Sequence, residues 1–237
     1  MEYVGTAYAG FQRQPGKVTV QTTLEAAIAA VTQEQVRVVG SGRTDAGAHA
    51  AEQVIAFSTR SALPLDVLRR AINVYLPADI VITSSAEVAS DFHPRFDASS
   101  RVYRYLIWNR PERSPFWSGR AAHVKAPLEE SAMNLAAKHL IGAHDFGAFV
   151  PATGKSAVRT MFRADCRRDG HLVAIELEAS GFMRQMVRSI AGTLIRVGLG
   201  KLSVEEFGAV LQSGDRARAA TTAPSHGLYL VQVKYER

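Results

Sequence analysis

The 237-residue chain is expected to be an α+β protein of two ferredoxin-like units, side by side, forming one continuous, mixed, mainly antiparallel sheet with a cleft between them. Three observations predict this. Apolar residues switch repeatedly between alternating and helical spacing along the chain. The first part reads βαββαβ, the split βαβ pattern. The second part again mixes strands and helices around a long hairpin.

Each element has its own signal. Met1–Val4 predicts a short strand, and Gly5–Val20, with Gly, Pro, Gln and Arg, a loop. Gln21–Val31 places Leu24, Ile28 and Val31 at helical intervals. Val36–Gly40 reads as a strand, the segment Gly40–Ala50 as a loop, and Gln53–Thr59 as β-rich. Pro64 suits the start of a helix running to about Tyr75, with Leu65, Leu68, Ala71 and Ile72 on one face. Ile80–Val88 predicts another strand. Pro94 and a serine pair interrupt the pattern over Asp91–Ser100, which places a first domain at residues 1–95 and a second at 96–237.

In the second part Val102–Trp108 alternates as a strand, Ala121–Val124 more weakly, and Leu128–Leu140 is helical. Val158–Arg167 and Leu172–Ala179 read as paired strands turned at Arg168–His171. Met183, Met186, Val187, Ile190, Leu194 and Val197 mark a helix that stops near Gly198 and Gly200. Ser203–Leu211 is a short helix with Ser203 as its cap and Glu206 in the capping-box position. Leu228–Val233 closes the chain as a strand.

Composition narrows the function class. The chain is 47% hydrophobic and 21% charged, as expected of a soluble globular protein, and no apolar run approaches membrane-spanning length. Met1–Gly5 lacks the basic start and apolar core of a signal peptide. Cys166 is the single cysteine, so an internal disulfide and a cysteine-based metal site are excluded; it is expected to be a small buried residue. A cytoplasmic location follows as the simplest expectation. The formal charge of +6 favours a polyanionic partner. Of the 28 basic residues 22 are arginine and 6 lysine, and arginine both grips phosphate and stacks on bases; a compositional bias of the genome accounts for the ratio equally well.

The segment most able to carry chemistry is Gly40–Ala50, G-S-G-R-T-D-A-G-A-H-A. Gly40, Gly42 and Gly47 permit tight turning and close backbone approach. Thr44 offers a hydroxyl beside Asp45, and a carboxylate in a Gly-rich loop after a strand is a common catalytic placement. Two other readings stand beside it. Asp45 has the character of a cap for a helix starting at Ala46, and Asp45 with His49 offers two metal ligands, without a third nearby. The Gly-Lys-Ser/Thr ending of a phosphate loop is missing.

G-R-T-D-A-G-A-H-A resembles the signature of the TruA family of tRNA pseudouridine synthases, and further segments resemble it in the same order. They are Y-A-G-F-Q-R-Q at Tyr8–Gln14, D-F-H-P-R-F at Asp91–Phe96, R-V-Y-R-Y at Arg101–Tyr105, F-M-R-Q-M-V-R at Phe182–Arg188 and G-L-Y-L-V at Gly227–Val231. The resemblance spans nearly the whole chain. It implies the pseudouridine synthase fold, with two RRM-like units and a central active-site cleft. It also implies isomerisation of uridine to pseudouridine in the tRNA anticodon arm, at positions 38, 39 and 40, without cofactor or metal.

By residue, the resemblance gives Asp45 the role of catalytic carboxylate, nucleophile or base. Arg188 matches the arginine that pairs with and ionises it. Tyr103 matches the tyrosine that stacks on the target base and assists proton transfer, Leu228 an apolar wall, and Arg43 a residue that handles the flipped base. From the residues alone, Tyr103 and Leu228 read as core, Arg188 as a helix-surface arginine paired with a nearby acid, and Arg43 as a loop charge. Arg13, Lys17, Arg43, Arg167, Arg168, Arg216 and Arg218 are candidates to line the RNA path, each equally readable as surface charge. His93 and His144 are structural or RNA-facing. Family members form homodimers, so a dimer is expected.

The sequence departs from the family at Val4, where Asp is usual, at Arg184-Gln185, and in the few apolar residues before Glu2; a shortened first strand is expected. The competing reading is a non-catalytic RNA-binding protein on the same scaffold, and a third is a nucleoside hydrolase using Asp45.

Overall fold

A computed structural model describes residues 1–151 and 156–235 of the chain. Its contacts divide into two units, Met1–Ser99 with Leu230 onward, and Ser100–Tyr229. The division falls at Ser99/Ser100 rather than at 95/96, and most of the closing strand belongs by contact to the first unit.

In the first unit, β1 (Glu2–Tyr3) is followed by a 3-10 turn and a loop that leads to α1 (Val20–Thr32). Val20, Leu24, Ala27 and Ile28 are buried at helical spacing. Thr19 and Thr22 form a reciprocal capping box at the N-terminus. Gln33, with φ of 60°, ends the helix in the left-handed region. Then come β2 (Val39–Gly40), β3 (His49–Ala50) and β4 (Ile55–Ala56), α2 (Leu65–Tyr75) with Leu68 and Ile72 inward, and β5 (Ile80–Val81). β1 pairs antiparallel with both β3 and β5, and β2 with β4.

The expected strands over 36–40, 53–59 and 80–88 are each only two residues long. Side chains take the backbone groups that a ladder would have used. Val38 N–H donates to Glu25 Oε1 (3.0 Å), Ile82 N–H to Asn73 Oδ1 (2.8 Å), and Arg60 N–H to Glu34 Oε1 (3.0 Å).

The second unit carries β6 (Ala98–Asn109, beginning just before the division), β7 (Ala122–Val124) and α3 (Glu130–Ala137), which continues as a 3-10 turn to Leu140. β8 (Gly142–Asp145), which periodicity did not indicate, is followed by β9 (Val158–Asp169), β10 (Leu172–Ala179), α4 (Met186–Gly198) and α5 (Val204–Ser213), capped by Ser203 and Glu206 as expected. β11 (Leu228–Tyr235) closes the chain. The strands run β6-β10-β9-β8, antiparallel, with β7 parallel to β6; the fold is therefore α+β with a mixed, mainly antiparallel sheet.

Val173, Ile175, Leu177 and Ala179 are fully buried on one face of β10, with Tyr105 and Ile107 of β6 beside them. The other face is polar: Glu176 accepts from Arg104 (2.7 Å) and pairs with Arg163 across the register. α4 starts at Met186 rather than Met183 because Gln185 sits at φ of 63°, where a right-handed helix cannot continue. Cys166 is buried, as expected, and burial with Glu130 and Asp165 nearby pushes its thiol up to about 12.

Candidate active site

The Asp45 loop connects β2 to β3, and backbone and side-chain bonds at both ends tie it down. Phe11 N–H donates to the Thr44 carbonyl (3.2 Å) and Gly47 N–H to the Tyr8 carbonyl (3.2 Å). Thr44 Oγ1 and the Tyr3 hydroxyl are 2.8 Å apart in a buried contact. Ser41 Oγ donates to Gln53 Oε1 (2.6 Å), and Gln53 Nε2 donates to the Gly42 carbonyl (3.0 Å). Asp45 itself is half-buried between the buried Thr44 and exposed Ala46. The Thr44 hydroxyl thus anchors the loop to β1.

Two readings of this loop resolve locally. No helix begins at Ala46; Ala48 N–H returns to the Asp45 carbonyl (3.1 Å) in a tight turn, with Gly47 at φ of 78°. His49 is 1% exposed, and its Nδ1 accepts from Gly5 N–H (3.0 Å), so the ring braces the turn at Gly5. Among the described residues no group of three metal-ligating side chains is present.

Glycines outside the signature make this packing possible. Gly10, at φ of 93°, lies so close that a β-carbon would stand 2.7 Å from the Thr44 carbonyl oxygen. A β-carbon on Gly40 would meet the Phe11 ring at 2.5 Å, so this glycine serves protein packing. The Tyr8–Gln14 segment is therefore the support of the Asp45 loop. Only its place in the family pattern signalled that, since no periodicity links the two segments.

The second unit holds Tyr103, Arg188 and Leu228. Tyr103 is 7% exposed on β6, opposite Leu177, with its ring edge-on to Phe182 at 5.0 Å. Arg188 lies in the first turn of α4, and its Nε donates to the Ala223 carbonyl (2.7 Å). Tyr105, next on the Tyr103 face, donates its hydroxyl to the Pro224 carbonyl (2.8 Å). Arg188 and Tyr105 thus engage the adjacent carbonyls of Ala223 and Pro224; burial raises the Tyr105 pKa, and the Arg188 charge opposes that rise. Leu228 is 5% exposed at the head of β11, just after Gly227, whose missing side chain lets the backbone touch Tyr105. Arg101, given no role from the sequence, is 9% exposed and donates to the Ser180 carbonyl (3.1 Å).

The basic residues fall into two kinds. Arg43, Lys17, Arg167 and Arg218 are exposed. Arg167 has Asp165 at 3.8 Å. Arg13 is largely exposed but pairs with the buried Glu25. Arg168 donates to Asn109 Oδ1 (3.0 Å) and the Leu128 carbonyl (2.7 Å), and Arg216 to the Ala220 carbonyl (3.0 Å) and Thr222 Oγ1 (3.1 Å). His93 Nδ1 accepts from Arg95 N–H (3.1 Å), and a His144 ring nitrogen lies 2.8 Å from the Ile141 carbonyl. Arg43, Arg13 and Lys17 belong to the first unit and the other four arginines to the second.

Comparison with known proteins gives this arrangement a lineage. A sequence profile described as tRNA pseudouridine synthase matches residues 1–97 and 136–236. The tRNA pseudouridine synthase A of Geotalea uraniireducens (strain Rf4) is 44% identical over 237 residues, covering 99% of this chain and 97% of that protein. The protein of that name from Acetivibrio thermocellus is likewise 44% identical with the same coverage. That of Thermoanaerobacter sp. (strain X514) is 42% identical over 238 residues, again covering 99% and 97%. The profile match takes in the Asp45 loop and the Arg188 helix, and the alignments to these relatives run over nearly the whole chain; the chain belongs to the TruA family of tRNA pseudouridine synthases, isomerases of RNA.

Proposed function

We propose that this protein converts uridine to pseudouridine at positions 38, 39 and 40 of the tRNA anticodon arm, with Asp45 as the catalytic carboxylate. The observation that carries the reading is the anchoring of Asp45: a carboxylate on a glycine turn, with the residue before it fixed through both its carbonyl and its hydroxyl. Catalytic groups gain most from such preorganisation, because an ordered carboxylate pays no further entropy at the transition state.

The reaction is an isomerisation. The bond from uracil N1 to ribose C1′ breaks, the base turns, and C5 bonds to C1′. The proton on C5 leaves and N1 gains one, so nothing is oxidised and no cofactor is required. Asp45 serves as nucleophile or base. Arg188 keeps it ionised, because a neighbouring positive charge favours the carboxylate. Tyr103 stacks on the uracil and assists proton removal at C5, and Leu228 packs against the base. A uridine within a stem must leave its stack to react, and Arg43 steadies it outside. Arg43, Arg13, Lys17, Arg167 and Arg218 offer charge to the tRNA backbone, whereas Arg168 and Arg216 are engaged by oxygens of their own chain and are left out of that set. We place the enzyme in the cytoplasm as a homodimer, each tRNA touching both subunits.

Incubation of unmodified tRNA with purified enzyme, followed by mapping of pseudouridine, tests the reading. Wild type is expected to modify positions 38–40, and Asp45→Asn to bind tRNA but leave them as uridine. Equal pseudouridine from both proteins refutes the assignment of Asp45; free uracil as the main product would make the enzyme a hydrolase.

A further inference from the structure

The segment Ala220–Pro224 is strapped along one face of α4. Ala223 N–H donates to the Arg188 carbonyl (3.1 Å), while the Ala223 carbonyl accepts from Arg188 Nε (2.7 Å). Ser189 Oγ lies 3.3 Å from Thr222 Oγ1, and Ala220 N–H donates to Thr193 Oγ1 (3.1 Å). Between them Gly192 is a notch: a β-carbon there would come 2.3 Å from the Thr221 carbonyl oxygen. Residues 189, 192 and 193 share a helix face by their spacing, so the strap has one register on α4.

Arg216 grips this strap as well. Its planar fork spans two positions, the Ala220 carbonyl (3.0 Å) and Thr222 Oγ1 (3.1 Å). The same Thr222 hydroxyl faces Ser189 of α4. The guanidinium therefore fixes the strap's curvature where the strap meets the helix.

We infer that Arg216 is a positioning residue for Arg188: it holds the strap so that the Ala223 carbonyl fixes Arg188 Nε and with it the plane of the Arg188 guanidinium. This rests on the uridine isomerase reading above, in which Arg188 acts at the reacting centre. An arginine side chain is long and flexible, and a plane set by a backbone carbonyl holds only as well as that carbonyl is held. Misplacement of a catalytic group by about 1 Å costs up to about 100-fold in rate.

A phosphate-contacting Arg216 would behave differently, which makes the inference testable. Arg216→Met is compared with wild type for single-turnover pseudouridine formation at saturating tRNA, and for tRNA Kd across a salt series. The expected result is a rate lower by about tenfold or more at saturation, with Kd and its salt slope unchanged. Thr222→Val, which removes one hydroxyl and keeps the shape, is expected to lose rate in the same way but less, and Gly192→Ala in the same direction. A weakened Kd, a salt slope shallower by about one and a wild-type rate at saturation would overturn the inference in favour of a phosphate contact. Wild-type rates in all variants would overturn it also. Thermal unfolding accompanies each variant, and Thr222→Val decides if Arg216→Met is unfolded at the assay temperature. An active wild type with equally active variants defeats this inference alone; a wild type that makes no pseudouridine defeats the isomerase reading and the inference with it.

Discussion

Gly10 shows how much of the candidate site depends on a residue outside the Asp45 loop. Its φ of 93° and its approach to the Thr44 carbonyl both exclude a side chain. Gly10→Ala is expected to cost about 1–3 kcal/mol, from left-handed strain plus displacement of the Thr44 carbonyl. Because that carbonyl adjoins Asp45, pseudouridine formation should fall more steeply than tRNA binding; urea unfolding, product mapping and filter binding together check this. Tyr3→Phe is a milder probe of the same anchor. It removes a buried hydroxyl from Thr44 and should destabilise by about 1 kcal/mol in urea unfolding. The Asp45 loop could be picked out from its glycines and its carboxylate. Its supports could not, because Gly10 and Tyr3 touch it across 34 and 41 residues of chain and share no local pattern with it.

At the scale of elements, α1 and the start of β2 are joined through one carboxylate. Glu25 accepts from Val38 N–H (3.0 Å) and Gln21 Nε2 (2.9 Å) and pairs with Arg13. Burial drives its pKa upward, but the Arg13 bond, the Val38 N–H, the Gln21 amide and the Arg13 charge outweigh it, and the net shift is downward. The folded chain therefore keeps Glu25 ionised to lower pH than the unfolded chain does. Its contribution is present above the ordinary carboxylate value of 4.5 and is lost as pH falls through the depressed native value. Glu25→Gln should be less stable than wild type by about 2 kcal/mol near neutrality, and the gap should close as pH drops below 4.5. Denaturant unfolding of both proteins across pH measures it. Elements with caps and long apolar faces, α1, α2, β9, β10 and α5, were legible from spacing. The positions of β2, β4 and β5 were legible too but their lengths were not, since side chains such as Glu25, Asn73 and Glu34 take bonds that a ladder otherwise makes, and a β-propensity reading assumes the ladder.

For the whole molecule, a net charge of +6 with 22 arginines meets a partner that carries one negative charge per nucleotide. Binding of tRNA should weaken steeply with salt as condensed counterions cease to be worth releasing. Arg167→Gln and Arg218→Gln, both exposed positions, should each flatten the slope of log affinity against log salt by about one without changing which uridines are modified. Filter binding over a salt series reads the slope; an unchanged slope would remove that residue from the RNA path.

By itself the sequence determined the class of fold, through alternating and helical spacing, and the family, through six segments in order, with Asp45, Tyr103, Arg188 and Leu228 among them. These are local or positional properties, carried by residue types at fixed separations. Tertiary structure alone decided how the parts are held. It returned the last strand to the first unit, where Ala51 N–H meets the Leu230 carbonyl at 2.8 Å across most of the chain. It also turned Arg216 onto the strap of Ala220–Pro224. Such contacts depend on carbonyls and close backbone approaches, groups that every residue has, so they leave no mark in the order of side chains. The Asp45 loop was therefore readable as a candidate site, whereas the residues that hold it still could be named only once the chain was folded.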